Sequence, residues 1–430
     1  MRSSFHKSIL KNGVTLLTED LPHFQSLSIG IWVKSGTRHE LIQESGLSHF
    51  LEHMIFKGTK KRSTLEIAQA VDQVGGEFNA FTAREHTCFH LLFLHKDLRL
   101  AIDILSDVLM NSVFLEEELE KERKVILQEI SMVEENPEEY IHDVFFSQAY
   151  GAHPLGRPIL GDSKTIKGFK KSHVLSFYRK HYTPSQMVIA VAGNVSHGKI
   201  KNLFNRYLNS QQSKKNNIRN LMNPIKPDRT SPKIHSGTRL IKRSLEQAHM
   251  VVGFPGVSYS HPDRFAFLLL NLYLGGGMSS SLFQEIRENR GLAYHLYSSL
   301  SSFSDSGLFS IYVATNPGEI KTCLKIVGHE IQKLKKSPLE KRSLKILKDN
   351  LKNTVLLNAD SVENRMSTIA KNEIFYSRNY SIKDICGFIE KVKPLDLQRI
   401  SNILFKPQNF ILTVLGPINK APSVKLVFNP

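Results

Sequence analysis

The chain has 430 residues, 41% hydrophobic and 23% charged, with three cysteines. That composition excludes global disorder, collagen-like repeats and a disulfide-built scaffold, and the length suits about two to four ordinary domains or one large one. Lys and Arg total 57 against 40 acids, a formal charge of +17, but the basic residues are scattered without a nucleic-acid motif, so the excess reads as a solvated surface and no nucleic-acid partner is expected.

No run approaches the ~18 apolar residues of a membrane span, and the N-terminus lacks the apolar core of a secretory signal. Cys88, Cys323 and Cys386 are far apart and offer no metal spacing. They suit a reducing compartment, and a cytoplasmic location is expected. Asn12-Gly13, between SIL and VTLL, predicts a β-hairpin.

The segment SGLSHFLEHMIFKGT follows. At about 100° per residue, Leu47, Phe50, Leu51, Met54 and Ile55 share one side of a helix, and His49, Glu52 and His53 the other. Two imidazoles at i and i+4 can grip one ion, and Glu52 on the same face can serve a water beside it without being a ligand. The other reading is an exposed polar helix face with two incidental histidines. Next, Ser63-Thr64 can cap a helix with apolar positions Leu65, Ala68, Val71 and Val74, ended by Gly75. FNAFTAREHTCFHLLFLH reads as extended structure. Segments 97–110 and 116–135 read as helices, and the second carries Glu122 and Glu129 two turns apart on nearly one face. Either could supply a third ligand, with Glu118 and Glu120 as weaker candidates. A glutamate in such an acidic run is more often a solvated charge.

The polar, basic stretch 211–232 reads as a linker between an N-terminal domain, 1–210, and a C-terminal one, 233–430. Three pairs match at an offset of 223: Gly30 with Gly253, Pro184 with Pro407, and Gly193 with Gly416. Equal offsets at both ends of a unit point to an internal duplication. Each half is expected to be α+β, with helices packed on a mostly antiparallel sheet. The offset sets His49, Glu52 and His53 opposite Leu272, Gly275 and Gly276, so one metal site per chain is expected. Glycines 275–277 lack a phosphate-loop pattern and read as a flexible or close-packed loop.

HFLEHMIFKGT, followed by Glu129 in ERKVILQEI 76 residues after His53, resembles the active-site pattern of the M16 peptidases, the pitrilysin-like inverzincins, and in particular their short processing-peptidase members. The resemblance covers essentially the whole chain and implies a LuxS/MPP-like fold. It puts His49, His53 and Glu129 on the positions of the ligands of one Zn2+, Glu52 on that of the general base, and Glu122 on a supporting acidic position. GGEFNAFTAREH is similar to the family's edge strand, where a peptide substrate adds as an extra strand, here at Asn79, Ala80 and Phe81. Arg287 and Tyr294, on one helical face if their segment stays helical, match the family's substrate-positioning pair. The implied function is a zinc metalloendopeptidase acting on short or unfolded peptides in an enclosed chamber. A homodimer, or a heterodimer with a related subunit, is implied, since full-length members carry four such domains. The alternative is a non-catalytic subunit or scaffold with this fold.

Overall fold

A computed structural model of the chain describes residues 4–209 and 232–429. The proposed linker, 211–232, lies outside the described residues except for Pro232. Two compact units are present. The first comprises Met1–Met132, Arg157–Arg229 and Leu357–Asn379, the second Val133–Gly156, Thr230–Leu356 and Tyr380–Pro430.

The first unit holds a six-stranded sheet in the order β1-β2-β6-β3-β5-β4, formed by β1 (Ser4–Ile9), β2 (Thr15–Asp20), β3 (Ser26–Val33), β4 (Glu77–Thr82), β5 (Thr87–Leu94) and β6 (Met187–Gly193). Neighbours are antiparallel except β2 and β6, which are parallel. The hairpin at Asn12-Gly13 is present, with Gly13 at φ +94° and Asn12 Oδ1 accepting from the Val14 N–H. Helices α1 (Leu47–Ile55), α2 (Thr64–Asp72), α3 (Leu98–Asn111) and α4 (Glu116–Glu135) follow the strands that precede them in the chain. Leu47, Phe50, Leu51, Met54 and Ile55 of α1 are buried in one core with residues of α3 and α4. Ser63 caps α2 in a reciprocal box with Glu66. The buried face of α2 is Ile67 and Val71, however, and Leu65 is 65% exposed. Val71 belongs to both candidate stripes at helical spacing, and the one through Ile67 meets the core.

The second unit opens with α5 (Pro137–Tyr150) and holds a five-stranded sheet in the order β7-β11-β8-β10-β9, from β7 (Gly237–Lys242), β8 (Ala248–Pro255), β9 (Ala293–Ser302), β10 (Gly307–Thr315) and β11 (Ile411–Gly416). Here too one pair, β7 and β11, is parallel. This order repeats β2-β6-β3-β5-β4 strand for strand, so the duplication is visible in the topology.

The units are not the contiguous stretches 1–210 and 233–430. Each contains one helix from the other half of the sequence. In the first unit the helix Val362–Tyr376 lies on the sheet, with Met366, Ile369 and Ala370 against Trp32, Cys88, Val188 and Ala190. In the second, α5 sets Ile141, Phe145 and Ala149 against Val251, Tyr312, Ile411 and Leu415. The matched glycines account for the exchange. A Cβ on Gly30 would lie 2.4 Å from Met366 Sδ, and one on Gly253 would lie 2.2 Å from Phe145 Cε2. Each glycine leaves the hollow that seats the exchanged helix. With both faces covered, β3, β6, β8 and β11 are almost wholly buried and read as continuous apolar runs.

Candidate metal centre

The site is built on α1. Gly46, at φ +92°, begins the helix, and the buried carboxylate of Glu40 accepts the backbone N–H groups of Gly46 at 2.9 Å and Ser48 at 2.7 Å. These amides are among the unsatisfied donors of a helix N-terminus, so Glu40 caps the helix that carries the site. Burial nevertheless pushes its pKa up to about 7, against the pull of those hydrogen bonds.

With the apolar side of α1 in the core, His49, Glu52 and His53 are left half-buried on the other side. Helix α4 supplies the carboxylates. Leu119, Glu122, Ile126 and Ile130 form its buried stripe, and Glu129 lies beside it. Glu129 Oε2 is 3.8 Å from His49 Nε2 and 3.8 Å from His53 Nε2, and the three ligand atoms all fall within 4.8 Å of one another. Ligand atoms around a tetrahedral zinc with ~2.1 Å bonds sit about 3.4 Å apart. Two imidazoles and a carboxylate at these separations suit zinc, which would be held by His49, His53 and Glu129.

The two imidazoles differ in their support. His53 Nδ1 lies 2.9 Å from Glu122 Oε2, which assigns the proton to Nδ1 and the lone pair to Nε2, on the side of Glu129. His49 Nδ1 is buried without a hydrogen-bond partner. Burial, with His53 beside it, pulls the His49 pKa down to about 3. Burial acts in the same direction on His53, but the Glu122 hydrogen bond and the charges of Glu129, Glu122 and Glu52 outweigh it and raise its pKa. Glu122 is itself 6% exposed and takes Lys57 Nζ on its other oxygen at 2.7 Å. Burial disfavours its charge, yet the His53 and Lys57 hydrogen bonds hold its carboxyl below the usual range.

Glu52 is the remaining acid on this face. Its Oε2 accepts from the Thr82 hydroxyl at 2.5 Å. Burial raises its pKa, which the Thr82 bond and His53 oppose and Glu129 reinforces. Such a carboxylate is a better proton acceptor than an exposed one.

Thr82 ends β4, which pairs with β5 and has no neighbour on its other side among the described residues. Asn79, Ala80 and Phe81 lie on this edge strand. Alternation puts Ala80 on the face of Thr82, and Asn79 and Phe81 on the opposite one. Asn79 Oδ1 accepts from the Ala80 N–H, and the Phe81 ring packs 5.5 Å from Trp32. The Phe81 side chain is thus engaged in packing, and the outer backbone edge of β4 pairs with no strand among the described residues.

Arg287 and Tyr294 belong to the second unit and do not share a helix face. Arg287 lies in a short π-helical turn, Phe283–Glu288, whereas Tyr294 is on β9, because Gly291 at φ +60° ends the turn before the strand starts. They meet all the same: the Arg287 guanidinium stacks 4.5 Å from the centre of the Tyr294 ring, which is 77% exposed.

Glu40, Lys57 and Thr82 escape a reading of the sequence alone. A signal exists for two of them. Lys57 is four residues past His53, and Thr82 alternates with Ala80. Nothing comparable marks Glu40.

Family models match both halves of the chain. The family model for insulinase (peptidase family M16) matches residues 15–163, and that for the peptidase M16 inactive domain matches 168–351. An uncharacterized zinc protease of Streptomyces coelicolor is 37% identical over 98% of this chain and 91% of its own length. One from Rickettsia felis is 38% identical over 94% and 96%. Among solved structures, a protease from Helicobacter pylori aligns with a TM-score of 0.89 at 23% identity, covering 97% of this chain and all of that one. A chain of complex III2 from Candida albicans gives 0.84 at 17%, covering 99% of each. The chain belongs to the M16 peptidase family, in the branch of bacterial zinc proteases. Among the described residues no helix is long and apolar enough to cross a membrane.

Proposed function

We propose that the chain is a zinc-dependent metalloendopeptidase that hydrolyses short or unfolded peptides. The observation that carries this reading is the convergence of His49, His53 and Glu129 within 4.8 Å, beside an acid on the same helix face that is not needed as a ligand. Zinc held by these three groups would supply Lewis acidity, making a peptide carbonyl more electrophilic and a water more acidic.

The chain's own groups perform the rest. The backbone of β4 takes the peptide as an added strand, which gives grip with little sequence demand. Thr82 fixes Glu52 Oε2, so Oε1 is the oxygen available to take a proton from the attacking water and return it to the leaving amine. Glu122 holds the His53 ring in the tautomer that turns Nε2 to the site. The family resemblance adds Arg287 and Tyr294 of a second copy, or of a related subunit, as donors to the carbonyl oxygen as charge develops on it. A cytoplasmic dimer enclosing a chamber, with one zinc per chain, is the assembly this implies.

Metal analysis combined with cleavage of a quenched peptide tests the reading. Wild type should carry about one zinc per chain and lose cleavage to a chelator. Absence of both zinc and cleavage would favour a scaffold role, to which the M16 inactive-domain match over 168–351 lends some weight.

A further inference from the structure

We infer that Lys57 is a positioning residue for the metal centre: by anchoring one oxygen of Glu122, it fixes the other against His53 Nδ1 and so sets the affinity of the site for zinc. This rests on the metal-site reading above and assigns a determinant to a residue outside both the ligand set and the His49–His53 stretch.

The argument starts from the isolation of Glu122. Its side chain is 6% exposed and belongs to the apolar stripe of α4. A carboxylate in such a place requires a counter-charge and hydrogen bonds, or it must move or lose its charge. Lys57 Nζ supplies both at 2.7 Å from Oε1, while Oε2 faces His53 Nδ1 at 2.9 Å. The two contacts use different oxygens, so the carboxylate is pinned at both ends and its plane cannot turn away from the imidazole.

Lys57 is well held for this task. It lies two residues past the end of α1, with its backbone N–H donating to the Met54 carbonyl, and Gly58 follows it at φ +96°. A cation at that place also complements the carbonyl end of the helix. The other imidazole has no such support, since His49 Nδ1 is buried without a partner. Of the two imidazoles, only His53 is oriented from outside, through the chain Lys57–Glu122–His53.

The test titrates metal-free protein with zinc against a chromophoric chelator at fixed pH and salt. Groups that orient a ligand from outside typically cost 10–100-fold in metal affinity when removed, so Lys57→Met should weaken zinc binding by about tenfold. Lys57→Gln, which keeps a donor and guards against misfolding of the Met variant, should weaken it as well, and Lys57→Arg should recover most of the loss. Lys61→Met, at an exposed lysine paired with Asp103, should bind zinc as wild type does. A merely structural tie between α1 and α4 would lower the Tm of the metal-free protein and leave zinc affinity unchanged. Wild-type affinity in the Met and Gln variants, or an Arg variant as weak as Met, overturns the inference. If His53→Ala also binds zinc as wild type does, the metal-site reading falls with it. If His53→Ala abolishes binding while the Lys57 variants are indifferent, the inference alone falls.

Discussion

The hydroxyl of Thr82 donates to Glu52 Oε2 at 2.5 Å, joining the last residue of the edge strand to the acid on helix α1, which also carries His49 and His53. The strand proposed to take the peptide and the group proposed to move the proton are thus mechanically one. A hydrogen bond to a charged acceptor is worth about 1.5–3 kcal/mol. Thr82→Val should therefore lower kcat by about 10–100-fold. Zinc content should be unchanged, and Thr82→Ser should restore most of the rate. Steady-state kinetics on a quenched peptide would decide. A Val variant with wild-type kcat would remove Thr82 from the mechanism.

Glu52→Gln keeps the shape of the side chain and removes its capacity to accept a proton. A positioned general base contributes about 10²–10⁴-fold, and the amide variant should lose at least that much in kcat. Its zinc content should match wild type, because Glu52 is not among the three converging ligands. Metal analysis on the same preparation separates this result from loss of the site. Cleavage at the wild-type rate would sink the assignment.

Zinc should also stabilise the fold, since the ligands come from α1 and α4 and are brought together only in the native state. A ligand present at about 100 times its Kd contributes about 2.7 kcal/mol. Adding zinc to chelator-treated protein should raise the Tm, and His49→Ala should abolish the increase. A Tm indifferent to zinc in wild type would argue against a native-state site.

The exchange of helices makes a prediction on packing. A Cβ at Gly253 would sit 2.2 Å from the Phe145 ring, a rigid group in a core where both are buried, whereas at Gly30 the nearest atom is the thioether of Met366, an unbranched side chain that can shift, with the rigid Trp32 Nε1 next at 2.8 Å. Overpacking costs about 1–3 kcal/mol. Gly253→Ala should fall at the upper end and Gly30→Ala at the lower. Phe145→Ala should cost about 3–5 kcal/mol through the cavity it leaves. Denaturation midpoints would show the ranking, and equal costs at the two glycines would contradict it.

Much of this was legible because helix and strand periods are strong signals. On α1 the buried and polar positions separate cleanly at 3.6-residue spacing, and the NG turn and the matched glycines could be read directly. The phase of α2 is ambiguous in the sequence because Val71 fits two stripes, and the core meets the one through Ile67. The partners of Gly30 and Gly253 were hidden, since a constant offset says that two segments are alike and not which helix each will seat. At the site, Glu129 stands in an acidic run where composition cannot distinguish a ligand from a solvated charge, and the family resemblance was needed to single it out. Glu40, Lys57 and Thr82 act through contacts that the chain makes only when folded. The condition for Arg287 and Tyr294 to share a helical face, that their segment stay helical, is not met, because Gly291 at positive φ permits an abrupt change from turn to strand.

The last prediction concerns acid stability. His86 and His181 are buried, and burial first, then a nearby lysine in each case, pulls the pKa of both from 6.5 down to about 3. Above pH 6.5 both are neutral whether the chain is folded or not, and the stability they permit is fully present. As the pH falls below 6.5 the unfolded chain takes up protons that the folded one refuses, so stability declines until the pH reaches about 3. Each group contributes up to about 1.4 kcal/mol per pH unit to that slope. The His86 ring lies 5.1 Å from Trp32 and 5.9 Å from both Phe81 and Phe375. His86→Phe should therefore keep the packing and remove one titrating group. The fall in Tm between pH 7 and pH 5 should be shallower in that variant than in wild type. An identical slope would mean that His86 is protonated alike in the folded and unfolded chain.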